Sequence, residues 1–245
     1  MKKFVSYIIV LCFIYMFISC SKVRKTEAEK EREEWIAGFT DSIDYYQKIV
    51  SETEIKLQDI NSRINKDLEN FEFVENPREV SGYYILKGWK NNLPFTTTSL
   101  YARINKDEKL ELIATLAGAT FNKIGVISGE EEVFSEIVHH DQAFNYRHER
   151  FNTVYFSGAK ADTIAQFISR HRNDKIHLEY IEGAKKSKAT LSEKQKDMIS
   201  ETWNLFECQL QARELQKEFW ISSKKIETFR RIMDMQNMEV NKNNE

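Results

Sequence analysis

Both prolines, Pro77 and Pro94, and seven of the eight glycines fall between Phe71 and Leu191, and the segments on either side are almost free of both. Glycine and proline punctuate chains into turns, and long stretches without them permit long helices. The distribution therefore predicts a loop-rich middle flanked by two helical arms. The expected fold class is α+β: a central, mostly antiparallel β domain with a short helix, between long N- and C-terminal helices that pair as an antiparallel coiled coil. The expected division is a signal segment over 1–19, a charged tether over 20–34, a long helix over 35–71, a β-rich domain over 72–190, a second long helix over 191–236 and a frayed polar tail over 237–245.

The arms carry the periodicity of helix pairing. Ile36, Phe39, Ile43, Tyr46, Val50, Thr53, Leu57, Ile60 and Ile64 recur in alternating steps of three and four, followed by Leu68 and Phe71. A sustained period of 3.5 residues marks a coiled-coil seam. From Trp35 to Phe71, at ~1.5 Å per residue, such a helix spans on the order of 55 Å. The C-terminal arm opens on Ser192-Glu193-Lys194-Gln195, a Ser-x-x-Gln capping box. Ile199, Trp203, Phe206 and Leu210 follow one seam, and Ala212, Leu215, Phe219, Ser222, Ile226, Phe229 and Met233 a second. The change of phase near Leu210 implies a change of partner. The two seams close on each other within one chain or between two copies.

The middle reads as short aromatic or β-branched runs bounded by turn residues: 80–89, 99–105, 109–116, 123–128, 132–139, 153–157 and 176–181. Leu110, Leu112, Ala114 and Leu116 alternate with period two, which predicts one buried sheet face. Between Ser157 and Lys175 the pattern changes. Ile164, Ala165, Phe167 and Ile168 share one face of a short helix, giving a strand-helix-strand unit after an antiparallel meander.

The opening of the chain is a targeting pattern. Lys2 and Lys3 precede an apolar run from Phe4 to Ile18, about 15 residues and short of the ~20 that span a bilayer as a helix. It closes on Phe17-Ile18-Ser19-Cys20. This segment resembles the signal of bacterial lipoproteins, with Phe17 where leucine is commoner. The resemblance covers residues 1–20 and implies cleavage before Cys20, lipidation of its sulfur and acylation (palmitate) of its amine, so that the chain is held to a membrane by lipid. Two or three acyl chains anchor stably where one binds marginally. No aspartate directly follows Cys20, which by the same resemblance implies the outer membrane, facing the periplasm. Cys12 leaves with the signal and Cys20 is committed to lipid, so Cys208 stands alone as a buried small hydrophobe without a disulfide partner.

Lysine and arginine total 36 against 38 acidic residues, a net charge of −2, with no basic block of the kind that binds nucleic acid. The densest polar cluster is His139-His140-Asp141, followed by Tyr146-Arg147-His148-Glu149-Arg150. His140, Asp141 and His148 are the candidates for a metal site, because imidazoles and carboxylates ligate zinc. Their spacing matches none of the strong histidine motifs, and neighbours on a strand point to opposite faces. His171 and His177 read as isolated. Ser157-Gly158-Ala159-Lys160-Ala161-Asp162 reads as a glycine-assisted turn into an acidic first helical turn. Gly82-Tyr83-Tyr84 and Trp89-Lys90-Asn91-Asn92-Leu93-Pro94-Phe95 set aromatics beside a polar loop, as core or as a stacking surface. Thr96-Thr97-Thr98 offers no nucleophile with an assignable base.

No catalytic motif and no cofactor are expected. The first functional expectation is a lipid-anchored, non-enzymatic module of the cell envelope, presenting a β-rich domain on a helical stalk to an envelope protein or to its own copy through the arms. The alternative is a ligand-binding or metal-dependent hydrolytic domain in the β unit.

Overall fold

The computed structural model describes residues 27–76, 81–89 and 97–243. Cys20, the signal segment, the start of the tether, and Pro77, Pro94, Phe95 and Thr96 lie outside the described residues. Among those described are three helices and two antiparallel sheets, the α+β arrangement expected of the sequence. The helices are α1 (Glu27–Leu68), α2 (Ala159–Arg170) and α3 (Glu193–Asn243). Two compact units divide the chain: a helical unit of residues 27–52 with 218–243, and Thr53–Lys217.

In the helical unit, the two arms pack antiparallel through aromatic contacts. Phe39 meets Phe229 edge-on at 5.4 Å, and Tyr46 lies 6.0 Å from the same ring. Lys225 Nζ donates to the Tyr46 hydroxyl at 2.8 Å. In the larger unit, Ile60 is buried with Cys208 and Ala212, and Leu57, Ile64 and Leu215 close around them. Every expected seam position from Ile36 to Leu68 on α1, and from Ala212 to Met233 on α3, is buried or half-buried. Leu210 is the exception at 37% exposed, because it sits where the buried face changes phase.

The boundaries move for local reasons. Helix α1 begins at Glu27, so the acidic and basic residues assigned to a tether after position 26 form its first turns. It stops at Leu68, where Glu69 and Asn70 turn back onto the carbonyls of Lys66 and Asp67. Phe71 therefore opens a strand instead of ending the helix. The capping box forms: Ser192 N donates to Gln195 Oε1 at 3.0 Å, and Gln195 N to Ser192 Oγ at 3.4 Å. At its far end α3 runs on to Asn243, through most of the expected tail.

The larger unit carries ten strands among its described residues: β1 (Phe71–Asn76), β2 (Ser81–Leu86), β3 (Ser99–Asn105), β4 (Leu110–Ala117), β5 (Lys123–Ser128), β6 (Glu131–Phe134), β7 (Asn145–His148), β8 (Phe151–Ser157), β9 (His177–Glu182) and β10 (Lys185–Thr190). One sheet has the order β1-β2-β3-β4-β8-β7 and the other β10-β9-β5-β6. Strand β8 thus belongs to one sheet and β9 to the other, so α2 connects two sheets. The pairs Leu100↔Ala114, Ala102↔Leu112 and Leu112↔Phe156 line one face of the larger sheet. Their side chains share a core with Ile164 and Phe167 of α2 and with Met198, Ile199 and Phe206 of α3.

The period-two reading of β4 captures half of its environment. Ile113 and Thr115, on the opposite face, are fully buried too. Both faces of the sheet centre are closed, which is why β3 reads as an almost continuous buried run.

Candidate functional site

The histidine-rich segment lies in the 135–150 region between β6 and β8. His140 Nε2 is 3.3 Å from Glu182 Oε2 at the end of β9. Asp141 does something different: its Oδ1 accepts the backbone amides of Ala143, Phe144 and Asn145 at 2.8, 2.5 and 3.1 Å. These amides, Phe144 first, hold its carboxyl below the usual aspartate range. His148 ends β7, exposed and paired across the ladder with Phe151. His140 and Asp141 thus have separate partners, and His148 joins neither of them. Among the described residues, no group of three or more His, Cys, Asp or Glu side chains is arranged to hold a metal ion.

The loop they occupy is held from below by two buried asparagines. Asn145 Nδ2 donates to the carbonyls of Val138 and Phe121, and Asn152 Nδ2 to Asn145 Oδ1. Asn152 Oδ1 in turn accepts Phe121 N at 2.9 Å. These contacts tie irregular backbone to β7 and β8, satisfying amides and carbonyls that no ladder reaches. Isolated readings fare similarly elsewhere. His171 Nδ1 lies 2.8 Å from Asp174, and His177 pairs with Thr190. Gly158 has φ +83° at the start of α2, with Asp162 in the first turn and no side-chain cap.

A second polar cluster carries no sequence motif. Arg103, 5% exposed, donates from Nε to Glu111 Oε2 at 2.6 Å, and Asn105 Nδ2 donates to Glu111 Oε1 at 2.9 Å. The guanidinium lies 4.3 Å from the centre of the Tyr83 ring and 5.2 Å from that of Tyr155. Burial first, then the neighbouring Tyr155, pushes the Tyr101 hydroxyl well above the usual tyrosine range. Both oxygens of Glu111 are occupied, so the pair fixes charge in place instead of offering a free base.

The third feature is concave. A cleft of about 330 Å³ opens between α1, α3 and the β3–β4 turn, all within Thr53–Lys217. That turn is closed by side-chain hydrogen bonds: Asn105 Oδ1 accepts the amides of Asp107 and Lys109, and Glu108 adopts φ +54°. Of the aromatics singled out near Gly82, Tyr84 lines the cleft, whereas Tyr83 packs on Arg103. Trp89 packs against the core.

The helical unit leaves large apolar side chains in solvent: Tyr45 at 61% exposed, Trp220 at 62%, and Ile221, Met235 and Met238 on the same helix as Trp220. Ile221, Lys224, Thr228, Arg231, Met235 and Met238 are spaced by alternating threes and fours, so they form one outer stripe of α3 beside the buried seam. No helix among the described residues is long and apolar enough to cross a membrane. No known family model, curated protein or solved structure matches the chain.

Proposed function

We propose that this protein is a lipid-anchored, non-enzymatic interaction module of the cell envelope, with its helical arms as the contact surface. The observation that supports the reading is the set of large side chains left in solvent on the helical unit, with Trp220 and Ile221 adjacent on α3, Met235 and Met238 further along it, and Tyr45 on α1. Apolar side chains of this size left in solvent on a paired helix mark association sites when they cluster. The anchor is Cys20, the membrane is the outer membrane, and the chain faces the periplasm. The role needs no cofactor and no nucleic acid.

Cross-linking in intact cells followed by mass spectrometry tests this reading. A recurrent envelope protein should be captured through the arms, and the combined change Trp220→Ser with Ile221→Ser should remove it while leaving the helix content unchanged. Capture unaffected by that double change would sink the assignment of the surface. The anchor has its own test: Cys20→Ala should release the chain from the membrane fraction, and unchanged retention would remove lipidation from the proposal.

A further inference from the structure

In the helical unit, the face of α3 that turns away from α1 carries a second repeat. Trp220, Lys224, Glu227, Arg231, Asp234 and Met238 follow one another at steps of four, three, four, three and four, and all six are exposed. At ~100° per residue they lie roughly 150° round the helix from the buried and half-buried line of Ser222, Ile226, Phe229 and Met233. The spacing is that of a helix-pairing seam. Its composition differs from the first seam, because four charges of alternating sign stand between one apolar residue at each end. Ile221 and Met235, also exposed, flank it on one side.

The signs run positive, negative, positive, negative from the Trp220 end, and the reverse from the Met238 end. An antiparallel copy of the same helix, related by a dyad level with Phe229, therefore sets Lys224 against Asp234 and Glu227 against Arg231, each twice. The same dyad sets Trp220 against Met238 and brings Ile221 and Met235 to nearly the same level. A parallel copy sets every charge against its like. Within one copy the ladder is already formed: Lys224 Nζ lies 2.6 Å from Glu227 Oε2. The hydrogen bond from Lys224 first, with the Arg231 charge adding to it, holds the Glu227 carboxyl below its usual range, so it is ionised at neutral pH. The middle of the face is recessed. Glu227, Arg231 and Asp234, with Ser223, Ile226 and Arg230, line a shallow depression of about 510 Å³.

We propose that this face docks a second copy of the chain, α3 against α3 and antiparallel. The proposal rests on the reading of the arms as the contact surface and names the occupant of their outer face. Facing opposite charges fix orientation and register more than they add affinity, and the apolar side chains at the two ends leave water on pairing. The repeat is about 27 Å long at ~1.5 Å per residue, a short contact that forms and separates readily. Because the dyad crosses the helices, two chains anchored in one membrane pair with their helical units lying along the bilayer.

Cysteine cross-linking of the full chain in intact cells, with a short bismaleimide, tests it. Lys224→Cys combined with Asp234→Cys should give a covalent dimer, since the two positions are ~15 Å apart on their own helix and meet only across the dyad. Lys224→Cys alone should give no more than the parent chain, whose Cys208 is buried. In the doubly substituted background, Glu227→Arg should lower the dimer yield about tenfold, because it faces Arg231 of the second copy at two symmetric places. Adding Arg231→Glu to the same chain should restore the yield, as should coexpressing the two reversals in separate chains. Absence of dimer from the paired cysteines overturns the proposal. Equal cross-linking by the single cysteine also overturns it, since that sets the helices parallel, and so does a yield that charge reversal leaves unchanged. Should Glu227→Arg lower the amount of folded chain, Arg231→Glu alone replaces it with the same expected loss. Capture of a different envelope protein, abolished by Trp220→Ser with Ile221→Ser and accompanied by no covalent dimer, would keep the arms as a contact surface and overturn self-pairing.

Discussion

The two compact units are built from the same pair of helices and yet have different interiors. Along the larger unit's share of α3, Met198, Ile199, Ser200, Thr202, Trp203, Leu205, Phe206 and Cys208 are all buried, so the helix is sunk on a broad face. Along the helical unit's share, Ser222 and Ile226 are the described α3 residues that lose nearly all exposure, and contact depends on a narrow aromatic line through Phe39, Tyr46 and Phe229. One helix thus changes from a core element to a seam element along its length. Stability should follow burial, with the larger unit cooperative and costly to disturb and the helical unit more weakly held.

The largest expected effect tests the core half. Phe206→Ala removes a ring that is 4% exposed and should cost about 3–5 kcal/mol in denaturant unfolding. A loss under about 1 kcal/mol would mean that the broad face is poorly packed and that the contrast between the units is false. Next comes the charge buried in the same unit. Arg103→Met leaves Glu111 without its main partner and should cost about 3 kcal/mol, most of it recovered by adding Glu111→Leu, because the penalty lies in the uncompensated charge. If the second change recovers nothing, the loss comes from the packing of the arginine on Tyr83 and Tyr155 instead.

Phe229→Ala tests the seam half. It removes ring contacts with Phe39 and Tyr46, with an expected cost of roughly 1–2 kcal/mol. Amide exchange should quicken in residues 27–52 and 218–243 and stay unchanged in the sheets. Were the sheets to exchange faster as well, the two units would unfold as one.

The same contrast decides what was legible in the sequence. The seams were readable because helix pairing imposes a period, and β3, β4 and β5 because buried strands concentrate apolar residues. Strand β10 was hidden, since Lys185-Lys186-Ser187-Lys188-Ala189-Thr190 has no apolar alternation. It is held by its ladder with β9, and by Lys186 and Lys188 reaching Glu179 at 2.8 and 3.0 Å. Strand β7 was hidden by its length of four residues. Phe71 reads as a seam residue because its step of three from Leu68 fits a helix as well as a new strand. Of the candidate chemistry, adjacency in sequence favours His140, Asp141 and His148, but Glu182 engages His140, backbone amides engage Asp141, and His148 stands exposed at the end of β7. Arg103 with Glu111 spans a hairpin, and the cleft joins Ile64 to Arg213. Neither juxtaposition leaves a periodic trace.

The smallest effect belongs to the surface of the larger unit and separates local order from core stability. Asp141 is exposed, and its carboxylate gathers three amides at the start of the 141–145 turn. Its folded pKa is depressed, so the contribution is present above the unfolded pKa and lost as pH falls through the folded one. The turn should therefore stay closed through the ordinary carboxylate range and open only below it. Exchange of the Phe144 and Asn145 amides, corrected for intrinsic rates, should accelerate there while the amides of β3 and β4 do not. Asp141→Asn keeps an acceptor without a titrating proton, so it should retain part of the protection and remove its pH dependence. Persistence of that dependence in the asparagine variant would assign the titration to another group.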